Sequence, residues 1–119
     1  MRLKQSMYYA WQGIRCAWRE ERQMKIHLVM AILAVLCGVA ADLSGAEWAI
    51  LTIAIMSVIA MEMVNTAIER VVDLVTEDYH PLAKAAKDIA AGAVLVVSLG
   101  AVVIGVCLFG TRVIEWIGG

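Results

Sequence analysis

The chain has 119 residues, 62% of them hydrophobic, with ten basic and eleven acidic side chains and a formal net charge of −1. That is the length of one domain. It is too apolar for an ordinary soluble domain and carries no basic excess of the kind that marks a nucleic-acid binder. Cys16, Cys37 and Cys107 are spaced for neither a disulfide framework nor a metal motif, and read as small packing residues.

The N-terminal stretch mixes aromatic and charged residues and lacks the apolar core and small-residue cleavage site of a signal peptide. Leu3, Met7, Trp11, Ile14 and Trp18 recur at spacings of four, four, three and four, which is one helical face. Arg15 and Arg19 lie away from that face. The spacing predicts an amphipathic helix over 3–22, too polar to span and suited to a membrane interface. Packing against the protein's own spans is the alternative use of the same face.

Three apolar segments follow, and a span needs about 20 residues. The first predicted span covers about 26–42, built on IHLVMAILAVLCGVAA. The second covers 46–75, beginning WAILTIAIMSVIAM and then turning polar. The third covers 84–110, built on IAAGAVLVVSLGAVVIGVCLF. The link between the second and third holds Pro81, the single proline.

Basic residues collect on the cytoplasmic side of membrane proteins. Arg2, Lys4, Arg15, Arg19, Arg22 and Lys25 precede the first span. Arg70, Lys84 and Lys87 flank the second link, whereas the 42–47 turn has none and Arg112 alone follows the third span. This predicts a multi-pass protein of the cell membrane with the N-terminus and the 70–88 region in the cytoplasm. The C-terminus is then extracytoplasmic.

The second span raises the functional question. It acquires Glu62, Asn65, Glu69 and Asp73 while keeping helical periodicity. At 100° per residue these four share a stripe about 80° wide. Glu62 lies about 22 Å along the helix from Glu47, still inside a hydrocarbon layer about 30 Å thick. A carboxylate at that depth costs several kcal/mol and usually marks function. A structural ion pair is the plain alternative, but neither of the first two apolar runs contains a lysine or arginine. For Asp73, nearer the surface, a structural ion pair is as ready a reading as a functional role.

Glu20 and Glu21 close the surface helix and would be ordinary surface acids on their own. Lys87 and Asp88 open the third span at the same membrane level, where a lysine can simply snorkel. His27 and His80 read as interfacial residues, since nothing near them has ligand spacing. Taken together, Glu21, Glu62, Asn65, Glu69, Lys87 and Asp88 gather at one cytoplasmic interface. Carboxylates with a lysine and an amide suit Mg²⁺ and phosphate oxygens. Phosphoryl transfer needs a bridging cation, a positive charge and a group to take the acceptor's proton. GxxxxGK[ST] and GxGxxG are both missing from the sequence, which excludes the common soluble kinase types.

The stretch EMVNTAIERVVDL, followed by EDYHPLAKAAKDIAAGAVL, resembles the prokaryotic diacylglycerol kinase family, which includes the undecaprenol kinases. The matching positions are Glu62, Asn65, Thr66, Ala67, Ile68 and Glu69, then Val72-Asp73, then Ala86-Lys87-Asp88. The run GIRCAWREE, ending in Glu21, fits as well. Thr66 stands where many members have serine. The RQMKIHL run is more similar to the Gram-positive branch, which favours undecaprenol over diacylglycerol as acceptor.

The resemblance implies a fold and a chemistry. The fold is an all-α integral membrane protein with three spans and an amphipathic surface helix, assembled as a homotrimer with active sites between protomers. The chemistry is Mg²⁺-dependent transfer from ATP to a membrane lipid alcohol. By the same resemblance, Glu62 is the general base and Glu21 and Glu69 hold the metal. Asn65, Lys87 and Asp88 bind the nucleotide region, with Arg2, Tyr9 and Tyr79 near it. A diacylglycerol kinase is the alternative within the family. Outside it stands a non-catalytic small membrane protein that uses the polar stripe as helix glue.

Overall fold

The computed structural model describes residues 2–119. Four helices account for almost all of them: α1 (Leu3–Glu20), α2 (Arg22–Ala41), α3 (Gly45–Val75) and α4 (Pro81–Gly118). Helices α2, α3 and α4 are each long and apolar enough to cross a membrane. The protein is an all-helical membrane protein.

Helix α1 stops at Glu20, two residues earlier than the end expected from its sequence. Glu21 alone separates α1 from α2, with an extended backbone at φ −109° and ψ 114°. Lys25 ties down this elbow: its Nζ donates to the Trp18 carbonyl at 3.0 Å and lies 5.3 Å from the Trp18 ring centroid. Leu3, Met7, Trp11, Ile14 and Trp18 are all exposed in the protomer, and Ala17 on another face is the buried residue of α1. The apolar stripe of α1 is therefore not consumed by packing on the protein's own spans.

At the far end of α2 the chain reverses within three residues. Asp42 takes the left-handed conformation (φ 54°) and ends the helix, its N–H returning to the Gly38 and Val39 carbonyls. Asp tolerates this region better than most residues. Ser44 then starts α3 with a reciprocal cap. Its Oγ accepts from the Glu47 N–H at 3.2 Å, and Glu47 Oε1 accepts from the Ser44 N–H at 3.1 Å. This arrangement satisfies two otherwise orphaned donors.

Glu47 also takes both guanidinium nitrogens of Arg112 on α4, at 3.0 and 2.8 Å, while Arg112 Nε donates to the Ala41 carbonyl at 2.9 Å. One side chain thus fastens the α2–α3 turn to α4. Beneath it sits the apolar core: Ala41, Leu43, Leu51 and Leu108, with Trp48, Ile55 and Phe109 packed on it.

Helix α3 has 31 residues, about 46 Å at 1.5 Å per residue, so it outreaches the hydrocarbon layer. A short link over 76–80 leads to α4, whose start is set by Pro81 in the first turn and by His80. The imidazole Nδ1 of His80 accepts from the Leu82 N–H at 3.1 Å. Proline suits that position because its missing N–H would have been unpaired there. Most apolar side chains of α4 stay exposed, as expected of a helix facing lipid or a neighbouring subunit.

Candidate functional site

Among the described residues three polar side chains are buried, all on α3: Glu62 and Asn65 of the stripe and Thr66 beside them, at 4%, 8% and 5% exposure. Thr66 is satisfied locally, its Oγ1 donating to the Glu62 carbonyl at 3.0 Å, a common use of a helical threonine. Asn65 Nδ2 donates to Glu69 Oε1 at 3.3 Å, one turn on. Its carbonyl oxygen, Oδ1, is buried without a partner. A buried acceptor left unpaired costs free energy, so it is a place where a ligand can be accommodated.

The sequence pattern did not anticipate the partner of Glu62. His27 on α2 brings Nε2 to 3.5 Å from Glu62 Oε2, with both side chains largely shielded. His27 is thus no simple interfacial residue. A pairing across helices leaves no trace in the period of either helix, so only the presence of an imidazole in an apolar run hinted at it. Below this pair lies a cavity of about 460 Å³ between α2, α3 and α4, lined by Met30, Ala31, Ala34, Val58, Ile59 and Val102 among others. Its polar lining side chains are His27 and Ser98.

On the other side of Glu62 the stripe becomes charged. Asp73 near the end of α3 receives Lys87 Nζ from α4 at 2.6 Å. Lys87, expected to meet ATP phosphates, thus pairs with Asp73, and Asp73 has the structural ion pair that was its plain alternative. Asp88 pairs with Lys84 one turn earlier on α4.

Glu20 also departs from expectation. It forms an ion pair with Arg70 of α3, which in addition donates to Cys16 Sγ at 3.2 Å. These contacts dock α1 on α3, so Glu20 is a structural acid and not a lone surface charge. Neighbouring Glu21 occupies the elbow and is half-buried. Arg2, Tyr9 and Tyr79 lie on exposed surface. Among the described residues no hydrogen bond or ion pair links them to Glu62, Asn65 or Glu69.

Among the described residues no three carboxylate, imidazole or thiol groups converge on one point. Mg²⁺ does not need such a cage, since it is commonly held by one or two carboxylates together with phosphate oxygens and water. Glu69 and the orphaned Asn65 Oδ1 are oxygen donors of the right hardness, and they stand side by side on α3.

Known proteins share this sequence pattern. The model of the prokaryotic diacylglycerol kinase family matches residues 8–109. The chain belongs to that family. It is 43% identical to the undecaprenol kinase of Bacillus subtilis, over 91% of this chain and 88% of that protein. It is 40% identical to a diacylglycerol kinase of Synechocystis over 87% of this chain, a match that spans 59% of the longer relative. With the diacylglycerol kinase of Escherichia coli K12 the identity is 36%, over 80% of this chain and 78% of that protein. The match contains α2, α3 and the elbow in full, so the buried stripe lies entirely within it. The protein is a membrane lipid kinase, and a kinase of this family carries out ATP-dependent phosphoryl transfer.

Proposed function

We propose that the protein phosphorylates undecaprenol to undecaprenyl phosphate, with Glu62 as the general base. The observation that carries this reading is the placement of Glu62. It is a carboxylate 4% exposed, with an apolar cavity on one side and a charged helix end on the other. A lipid alcohol has the same division: an apolar chain that stays in the bilayer and a hydroxyl that must meet a water-borne phosphate donor.

In this mechanism the lipid's chain is held by the cavity and its hydroxyl oxygen faces Glu62. That oxygen attacks the terminal phosphorus of ATP. The new P–O bond forms as the bond to ADP breaks, and Glu62 receives the hydroxyl proton. General-base assistance of this kind is worth about 10²–10⁴-fold. Glu69, Asn65 Oδ1 and Glu21 would hold Mg²⁺, which supplies charge neutralisation on the phosphates when bound. Lys87 exchanges Asp73 for the phosphate chain, and Asp88 holds the nucleotide, with Arg2, Tyr9 and Tyr79 at its margin. The elbow and the 76–80 link face the cytoplasm, and the Arg112 clamp faces outward. The exposed apolar faces of α2 and α4 suit a homotrimer, in which a neighbouring protomer completes each site.

Diacylglycerol is the second reading, since two of the relatives described above are diacylglycerol kinases. Two features favour undecaprenol: the 43% identity to an undecaprenol kinase, and a cavity whose polar side chains are only His27 and Ser98. Ester carbonyls need donors, and a site poor in donors gives them little reward. The test is kcat/KM for undecaprenol and for a diacylglycerol in the same mixed micelles, at matched surface concentration, with ATP and Mg²⁺. Undecaprenol is expected to be the better substrate. An equal or higher value for diacylglycerol overturns the preference, and no labelled phosphate in either lipid overturns the activity.

A further inference from the structure

The Glu62 carboxylate has one ion-pair partner among the described residues, His27. The two side chains are not equally shielded: 6% of Glu62 is exposed and 19% of His27. The imidazole therefore stands on the more open side of the carboxylate. It also lines the cavity, together with Met30 and Ala31 on its own helix and with Val58 and Ile59, which lie one turn along α3 from Glu62. His27 thus both pairs with the carboxylate and lines the apolar space beneath it.

A shielded carboxylate on a flexible three-bond stem can point in several directions. Productive proton transfer needs heavy atoms within about 2.6–3.2 Å, and reacting groups placed within about 0.5 Å of their working geometry. Something must select the rotamer that aims at the acceptor. Backbone groups of a helix cannot do so, because they are spent on the helix itself. Thr66 does not, because its hydroxyl is committed to the Glu62 carbonyl. Asn65 donates instead to Glu69. The imidazole of His27 is the remaining group in contact, with Nε2 3.5 Å from Oε2.

We propose that His27 is a positioning residue for the transfer step. Its Nε2–H holds Oε2 of Glu62 and so leaves Oε1 to receive the hydroxyl proton of a lipid alcohol lodged in the cavity. The inference rests on the reading of Glu62 as the base. Nothing is transferred to His27. The proton passes from the hydroxyl to Oε1 as the P–O bond to the lipid forms and the bond to ADP breaks. At 3.5 Å the contact exceeds ordinary hydrogen-bond length, so the proposal requires it to shorten when the lipid fills the cavity.

The experiment compares His27→Gln, which keeps an N–H donor at similar reach, with His27→Leu, which keeps bulk and loses the donor. Both are assayed in mixed micelles with undecaprenol, ATP and Mg²⁺, beside Glu62→Gln. His27→Leu is expected to lose about 10–100-fold in kcat, the scale of a small misplacement of a reacting group. Its KM for ATP should stay within about twofold. His27→Gln should recover to within about fivefold of the parent in kcat, as a role in packing alone would not require. If His27→Leu does not fold, His27→Asn replaces it. The shorter amide cannot reach Oε2, so Asn should be impaired where Gln is not. A Leu variant within threefold of the parent, or Gln and Leu (or Asn) equally impaired, overturns the proposal. Loss of activity in Glu62→Gln together with an active His27→Leu sinks this inference alone. An active Glu62→Gln sinks the base reading beneath it.

Discussion

Gly38 offers a stability test whose sign can be worked out in advance. It lies on α2 where that helix passes closest to the start of α3. A Cβ built there would sit 2.6 Å from Trp48 Cη2, 3.0 Å from Cζ3 and 3.1 Å from Leu43 Cδ1. Carbon atoms pack best at about 3.5–4.0 Å, so Gly38→Ala forces the indole back by roughly 1 Å. The ring is packed on the Ala41, Leu43, Leu51 and Leu108 cluster and cannot retreat freely. Overpacking of this kind costs about 1–3 kcal/mol, while alanine in place of a helical glycine returns about 1 kcal/mol. The net expectation is a loss of about 1 kcal/mol.

In a Trp48→Phe background the two clashing ring atoms are gone. There the same substitution should be neutral or stabilising by up to about 1 kcal/mol. Unfolding in micelles by titration with a denaturing detergent, followed by helical circular dichroism, reads both values. Turnover should hardly change, because Gly38 lies eleven residues from His27, about 16 Å along α2. Equal effects of Gly38→Ala in the two backgrounds would refute the steric account.

Glu62→Gln keeps size and burial, and should lower kcat by about 10²–10⁴-fold without loss of helicity; a fall of less than tenfold removes Glu62 as the base. Glu69→Ala or Glu21→Ala should raise the Mg²⁺ concentration needed for half-maximal rate by tenfold or more, measured with ATP held saturating. Glu20→Ala should leave that concentration within twofold and act instead as Arg70→Ala does, with a double variant no worse than either single one, because the two side chains serve one contact. Equal Mg²⁺ effects at Glu20 and Glu21 would mean general surface charge, not ligation.

The helices of this protein are written in its hydropathy, and so is the stripe of α3. Glu62, Asn65 and Thr66 are local to one helix, and a 3.6-residue period suffices to place them on one buried face. What spans helices is less legible. His27 finds Glu62, Arg112 finds Glu47, and Arg70 finds Glu20, each across many residues of chain. Arg112 looks from sequence like an orientation charge alone, although its guanidinium holds the α2–α3 turn in place. Helix ends drift for a related reason. Hydropathy begins at Ile26, but α2 starts at Arg22, because charged side chains at the membrane surface continue a helix as readily as apolar ones below it. Likewise α4 runs to Gly118, past the expected end at 110, because Val113, Ile114, Trp116 and Ile117 carry its apolar pattern beyond Arg112.

The single-residue elbow has a mechanical corollary. With Glu20 pinned to Arg70 on one side and α2 beginning at Arg22 on the other, the freedom between α1 and α2 is concentrated in the two torsions of Glu21. If α1 rocks against the other helices, its pivot is the half-buried acidic residue Glu21. Any force that re-tilts α1 therefore swings a carboxylate at once, with no slack of linker in between to absorb it.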